Sequence, residues 1–239
     1  MARRLRLFPL NAVLFPGAVL NLHVFEPRYK QMISECLDAG ESFGVALIAD
    51  GAEAGDPDVQ PHNIGSIAEI VDVQRLPFGR YYVSTIGRER FRIREVVSRD
   101  PYLTVDVDVI EEHDAPSNDN EIDELVDRAR ELFGTYVNMI VEFSGQEATV
   151  TLPSDAQSTS FLIGDSLQIA EPVKQRLLEL DDTPARLRAE CDFLERLLPQ
   201  LRRLLERRRE ELEARQDEGE DNTYRHEQQR YFGKFFSTN

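Results

Sequence analysis

The pattern of apolar and polar residues divides the chain into a strand-rich half and a helical half. Over residues 3–112, apolar and polar residues alternate in several short runs, which predicts strands with one buried face. One short helix is predicted over 27–39, where Pro27 suits the first turn because a missing N–H costs nothing there. Over residues 121–215 the apolar residues recur every three or four positions, which predicts helices. The acidic, polar segment 111–121 is predicted to separate the halves.

These elements predict an α+β protein with two lobes. The first lobe, residues 1–116, is rich in strands and contains the short helix. The second lobe, residues 117–215, is a helical bundle that ends in a long helix. Residues 216–239 are polar, and we predict that they form a mobile tail.

Capping residues predict where two of the helices begin. Ser154 with Gln157 three positions later fits a capping box, in which each side chain bonds to the backbone N–H of the other residue. Thr183 and Pro184 fit an N-cap and the first helical residue of the last helix.

The last helix carries an apolar seam that repeats every three or four residues. The seam consists of Leu187, Cys191, Leu194, Leu198, Leu201 and Leu205, and Leu212 extends it. Pro199 lies inside the seam and is predicted to kink or split the helix, because proline lacks a backbone N–H. Such a seam packs against other helices of the same chain or against a second copy. The sequence therefore leaves a monomer and a dimer through this helix both open.

A hairpin turn built on Pro77 and Gly79 is predicted between two strands of the first lobe. Phe78, Tyr81 and Tyr82 lie in or beside this turn and are the candidate peptide-binding residues. Because neighbouring residues on a strand point to opposite faces, at least one of the two tyrosines is expected to face the core.

Four arginines alternate along the strand that follows this turn, which predicts that they share one face. They are Arg88, Arg90, Arg92 and Arg94. Such a row is either an anion-binding stripe or a solvated face opposed by carboxylates. We favour the second interpretation, because the next strand offers Asp106 and Asp108 at the matching alternation.

The motifs of common enzymes are absent or misplaced. The chain contains no G-x-x-x-x-G-K-[ST] phosphate loop. Residues 40–44 read G-x-S-x-G, but a helix is predicted before Ser42 and a strand after it, the reverse of the hydrolase elbow. The four histidines are scattered, and Cys36 and Cys191 fit buried free thiols. We therefore predict a non-catalytic protein without a cofactor or metal.

The charge of the chain changes which partners are expected. A formal net charge of −16 in 239 residues argues against a nucleic-acid partner, since phosphate contacts need a basic surface. No apolar run approaches the roughly 20 residues of a membrane span, and Arg6, Pro9 and Asn11 interrupt the would-be signal peptide. The expected location is the cytoplasm.

Six segments in order resemble the substrate-binding domain at the N-terminus of Lon proteases. The opening segment contains Leu-Phe-Pro-Leu, Leu-Phe-Pro-Gly and Phe-Glu-Pro-Arg-Tyr, and a later one contains Gly-x-x-Arg-Phe-x-Ile. The segments are 5–29, 40–50, 64–76, 87–96, 101–112 and 180–198. The ATPase and serine–lysine protease modules of Lon have no counterpart in this sequence, so the chain resembles a stand-alone member of the domain family.

The resemblance implies both a fold and a function. It implies that the first lobe is a PUA-like β-barrel and that the protein binds unfolded or degron-bearing protein segments without catalysis. A separate protease or chaperone component is the implied partner. Since PUA-like barrels also bind RNA, the alternative is an RNA- or ribosome-associated module.

Overall fold

The computed structural model describes residues 3–52, 56, 58–112, 120–145 and 150–217, with the side chains of 120 and 212–217 left aside. The strands of the described part are β1 (Arg3–Leu10), β2 (Val19–Val24), β3 (Phe43–Asp50), β4 (Gln60–Pro61), β5 (Ile64–Leu76), β6 (Arg80–Ser98) and β7 (Thr104–Val109). The helices are α1 (Pro27–Ala39), α2 (Asn120–Ser144), α3 (Ala156–Ser166), α4 (Glu171–Glu179) and α5 (Thr183–Asp217). The predicted α+β class, with strands first and helices second, is confirmed.

The strands form a ring in the first lobe. Their order is β1-β7-β6-β5-β3, and β1 also pairs with β3 in parallel, which joins the two ends of the sheet. The short β4 pairs with β3, and β2 pairs with the first half of β6. No helix in the described part of the chain has both the length and the apolar character needed to cross a bilayer.

The loop between β1 and β2 forms the predicted turn. The backbone N–H of Ala18 donates to the carbonyl of Phe15 at 3.1 Å, and Gly17 between them has a φ of +82°. This positive φ is the conformation that the third residue of a type II turn requires and that glycine adopts without strain. The turn places Phe15 inside the protein, where its side chain is fully buried.

One hydrophobic core joins the lobes. It contains Val13, Phe15, Leu47 and Ile64 from the strand-rich lobe together with side chains from all four helices α2 to α5. The rings of Phe15 and Phe161 lie with their centroids 6.4 Å apart in this core. The division into 1–116 and 117–215 stays a prediction, because most of the boundary segment, residues 113–119, lies outside the described residues. The predicted mobile tail lies outside them from residue 218 onward.

Both capping predictions are wrong by one residue. Helix α3 begins after Asp155, whose Oδ1 accepts from the backbone N–H of Ser158 at 2.7 Å, so Ser154 is not its cap. Helix α5 begins at Thr183, and Asp182 Oδ1 accepts from the N–H of Ala185 at 2.6 Å. In both cases a carboxylate next to the predicted cap is the stronger acceptor at the positive end of the helix dipole.

The apolar seam of the last helix packs within its own chain. Leu187, Cys191, Leu194 and Leu198 are buried in the shared core with side chains of α2. Helix α5 continues through Pro199, so the proline does not split it. A dimer through this helix stays a prediction, and the side chain of Leu212 lies outside the described residues.

Candidate functional site

The tip of the β5–β6 hairpin is the most exposed aromatic surface in the described part of the chain. Strands β5 and β6 pair up to Leu76 and Arg80, and the residues between them, Pro77–Gly79, form a single 3-10 turn. Phe78 has φ and ψ of 65° and 28°, the left-handed conformation that bulky side chains rarely adopt. Gly79 is left-handed as well, with a φ of +66°. The predicted turn on Pro77 and Gly79 is confirmed.

The three predicted aromatic residues lie at this tip, but they do not share one environment. The side chain of Phe78 is 89% exposed, and that of Tyr82 is 42% exposed. Tyr81 is partly buried and packs against the core cluster below helix α1. The structure therefore brings Phe78 and Tyr82 to the surface and turns Tyr81 inward, as the alternation along a strand requires.

Strand β2 adds two further rings that the sequence prediction missed. His23 pairs with Tyr82 in the β2–β6 ladder and lies on the exposed face of β2. Phe25 follows β2, is 56% exposed and has its ring centroid 5.8 Å from that of His23. We call His23, Phe25, Phe78 and Tyr82 the aromatic tip. The missed signal was the pairing of β2 with β6, which no local pattern shows.

Two cations contact the same turn, and a third lies close to it in the β5–β6 ladder. Lys30 Nζ donates to the carbonyl of Phe78 at 3.3 Å, and Arg80 Nε donates to the carbonyl of Pro77 at 3.1 Å. The Arg80 guanidinium lies 6.0 Å from the centre of the Phe78 ring, within range of a cation–π contact. Arg75 lies on β5 opposite Tyr81. We call Lys30, Arg75 and Arg80 the basic collar.

At the opposite end of the hairpin the arginines have carboxylate partners. Arg88 pairs with Glu69, Arg94 pairs with Asp108, and Arg92 approaches Asp181 at 3.4 Å. The predicted pairing with Asp108 is therefore correct. The predicted pairing with Asp106 is wrong, because Asp106 accepts from Arg4 at 2.8 Å.

The prediction that all four arginines share one solvated face is wrong for Arg90. Its side chain is fully buried and reaches the helical lobe, where it donates to the carbonyls of Leu178 and Leu180, the latter at 2.7 Å. It also forms an ion pair with Glu112. A residue predicted to face water therefore connects the two lobes.

A second buried arginine lies beside it. The Arg186 guanidinium lies 3.9 Å from the centre of the Phe161 ring and donates to Ser160 Oγ at 2.8 Å, and Ser160 donates in turn to Glu190 at 3.1 Å. Burial lowers the pKa of Arg186 and raises the pKa of Glu190, while the attraction between the two groups opposes both shifts. Ser160, Arg186 and Glu190 are all fully buried.

The structure agrees with the sequence predictions for Ser42 and for the two cysteines. Gly40 ends α1 in the left-handed conformation and β3 begins at Phe43, so Ser42 lies in a helix-to-strand turn as predicted. Cys36 and Cys191 are free and buried, and burial raises the pKa of each thiol to about 11. No group of histidine, cysteine, aspartate or glutamate among the described residues is placed to hold a metal ion.

A concave surface lies between the strand-rich and the helical lobe. It is a cleft of about 200 Å³ between the 16–18 turn and helix α3. Its lining includes Pro153, Phe161, Leu162 and Asp165.

Comparison with known proteins identifies the family. The family described as the ATP-dependent protease La (LON) substrate-binding domain matches residues 4–196. This chain belongs to that family. The Lon protease of Flavobacterium johnsoniae is 30% identical over 188 residues, which are 76% of this chain and 22% of the relative. Lon protease 2 of Myxococcus xanthus is 28% identical over 199 residues, or 80% and 23% of the two chains.

Solved structures of LON-family domains support the same assignment. The crystal structure of a Lon N-terminal domain protein from Xanthomonas campestris is 27% identical, has a TM-score of 0.56 and covers 78% of this chain and 96% of its own. The N-terminal domain of the Mycobacterium avium complex Lon protease has a TM-score of 0.59 at 18% identity and supports the fold alone. The chain spans about a fifth of the length of the curated Lon proteases that it matches. The catalytic modules of those relatives lie outside the matched region.

Proposed function

We propose that this LON-family domain is a non-catalytic module that binds extended segments of other proteins at the aromatic tip. The observation that carries the proposal is Phe78, a large apolar side chain that is 89% exposed at the apex of a hairpin. Family membership supports protein binding in general. The finer features, namely unfolded or degron-bearing clients and a separate protease or chaperone that receives them, belong to the same proposal.

The conformation of Phe78 supports a binding role. A non-glycine residue held in the left-handed region costs of the order of 1–3 kcal/mol, and such residues cluster at functional sites. The exposed ring gains no burial in the free protein that would offset this cost. Contact with an apolar client side chain removes the ring from water, and phenylalanine is among the aromatic residues that are enriched at protein interfaces.

Strand β2 supplies a second element that suits an extended client. In the described part of the chain, β2 pairs with β6 alone, so its other edge has no strand partner. A free edge offers backbone N–H and C=O groups that an extended segment can pair with, independent of the client sequence. His23 and Phe25 lie along or just after this strand, so a client on this edge also meets two rings of the aromatic tip.

Binding of a labelled peptide tests the proposal. A short fluorescein-labelled peptide of Gly, Ser, Phe and Leu residues is titrated with the protein, and anisotropy gives its affinity. We expect Phe78→Asn to weaken binding by about thirtyfold, the loss typical of an interface hot spot. Asparagine tolerates the left-handed conformation, so this change keeps the turn while it removes the ring.

Two control variants locate the site. Val71→Asn changes an apolar side chain on β5 that is 48% exposed, and this variant is expected to bind the peptide with unchanged affinity. Leu162→Asn changes the inter-lobe cleft. If Leu162→Asn abolishes binding and Phe78→Asn does not, the cleft is the binding site and the aromatic tip is excluded. Thermal unfolding of each variant shows that the fold is retained.

A further inference from the structure

We infer that the basic collar makes the aromatic tip select client segments in which acidic side chains flank aromatic or aliphatic ones. This inference rests on the proposed function and adds the chemical class of the client. It follows from the charges around the tip, which differ in sign from the charge of the whole chain.

The tip is locally basic in an acidic protein. Residues 74–82 contain two arginines and no acidic residue, and Lys30 contacts the same turn, whereas the whole chain has a formal net charge of −16. Along the chain, the nearest carboxylate before this segment is Asp72 and the nearest one to Lys30 is Glu26. Glu26 accepts from Arg28 at 3.1 Å, and Asp72 lies opposite Ser84 in the β5–β6 ladder.

The collar keeps its hydrogen-bond donors available. Among the described residues, none of Lys30, Arg75 and Arg80 forms an ion pair. Lys30 and Arg80 each use one donor on a turn carbonyl, which fixes their position beside Phe78. An ammonium group has three donors and a guanidinium has five, so most of the collar's donors remain for a client carboxylate.

The basic collar, and not the net charge of the whole protein, determines which client segments bind, because charge effects are short-ranged at physiological salt. With a Debye length of about 8 Å, the acidic groups elsewhere on the protein are largely screened from a segment that lies on the tip. Each exposed ion pair contributes little, but three of them together shift affinity roughly tenfold. Apolar contacts with the aromatic tip bind the segment, and the basic collar makes the affinity depend on the charge of the segment.

Three matched peptides test this inference. They share one core of Phe and Leu residues and carry Asp, Ser or Lys on both sides of it. For the unaltered protein at physiological salt, we expect affinities in the order Asp, Ser, Lys, with roughly tenfold between the first and the last. The order is expected to weaken as salt rises, because the pairs are exposed.

Two sets of variants locate the effect. Replacing Lys30, Arg75 and Arg80 by Gln is expected to abolish the preference, and Arg75→Glu with Arg80→Glu is expected to reverse it. Arg92→Gln with Arg94→Gln is the matched control, because both arginines are exposed on β6 and have carboxylate partners. This control is expected to keep the original order.

The outcomes separate this inference from the proposed function. If all three peptides bind with equal affinity, the inference is overturned and the proposed function stands. If none binds, the proposed function itself fails. A single-stranded RNA that binds more tightly than every peptide, with a salt slope near −0.7 per phosphate contact, overturns both in favour of the RNA alternative.

Discussion

The two ends of the β5–β6 hairpin use the same residue type in opposite ways. At the base, the arginines of β6 are neutralised by carboxylates, and Arg90 is fully buried between the lobes. At the tip, Arg75 and Arg80 form no ion pair among the described residues, and Arg80 lies beside the exposed Phe78. The base connects the strand-rich part of the chain to the helices, and the tip leaves charge and apolar surface exposed.

The difference lies in what packs against each end. Helix α4 ends beside Arg90, and its last carbonyls accept from the buried guanidinium. At the tip, the ammonium group of Lys30 from α1 donates to the carbonyl of Phe78. A buried cation without acceptors is very costly, whereas an exposed cation costs nothing, so the surroundings of each arginine determine whether it is structural or available.

The largest expected effect comes from Arg90 at the base. We predict that Arg90→Met lowers the free energy of unfolding by about 3–5 kcal/mol, because it leaves Glu112 and two carbonyls without their donor. The matched change Arg92→Met, at an exposed arginine two residues along the same strand, is expected to alter stability by less than about 0.5 kcal/mol. Urea unfolding of both variants measures the difference. Equal losses of unfolding free energy in the two variants would contradict the distinction between buried and exposed arginines.

An intermediate effect is expected at the tip. We predict that Phe78→Gly raises the free energy of unfolding by up to about 1 kcal/mol, because glycine adopts the left-handed conformation without strain and the lost side chain was exposed. The neighbouring change Gly79→Ala is expected to lower stability by about 1 kcal/mol, because alanine at a φ of +66° is strained. Thermal unfolding of the pair tests this. A clear loss of stability in Phe78→Gly would show that the ring packs against the protein, contrary to the proposed binding role.

The smallest expected effect is a pH dependence of stability, which comes from the Arg88–Glu69 ion pair at the base of the hairpin. The hydrogen bond and the charge of Arg88 lower the pKa of Glu69 below its ordinary value. A carboxylate with a lowered folded pKa stabilises the protein above its unfolded pKa of about 4.3 and loses that contribution as pH falls through the lower folded pKa. We predict that Glu69→Gln is less stable than the unaltered protein at neutral pH and that the gap narrows below about pH 4.

Urea unfolding midpoints over this pH range check the prediction. Asp72→Asn, on the tip half of the same strand, is the control, since Asp72 has no ion pair in the described structure. A gap for Glu69→Gln that does not depend on pH would argue against the Arg88 pair as its cause.

Local chemistry predicted the elements and turns well. Helix α1 begins at Pro27 and ends at Ala39, and the hairpin turn lies at Pro77–Gly79, as the proline and glycine positions indicate. The inward direction of Tyr81 and the outward direction of Tyr82 follow from strand alternation. The helix caps were less predictable, because Asp155 and Asp182 compete with hydroxyl neighbours at the same helix ends.

The sequence by itself determined the order of strands and helices, the turns and the resemblance to the LON substrate-binding domain, because these depend on residues close together in the chain. Only the tertiary structure decided the burial and the partners of the four arginines that alternate from Arg88 to Arg94. One is buried and three are exposed, since the partner of each comes from a different strand, helix or loop. It also decided that β2 brings His23 and Phe25 to the tip beside Tyr82. Charge and burial are properties of a residue's neighbours in space, and a local pattern cannot specify neighbours that lie many residues away.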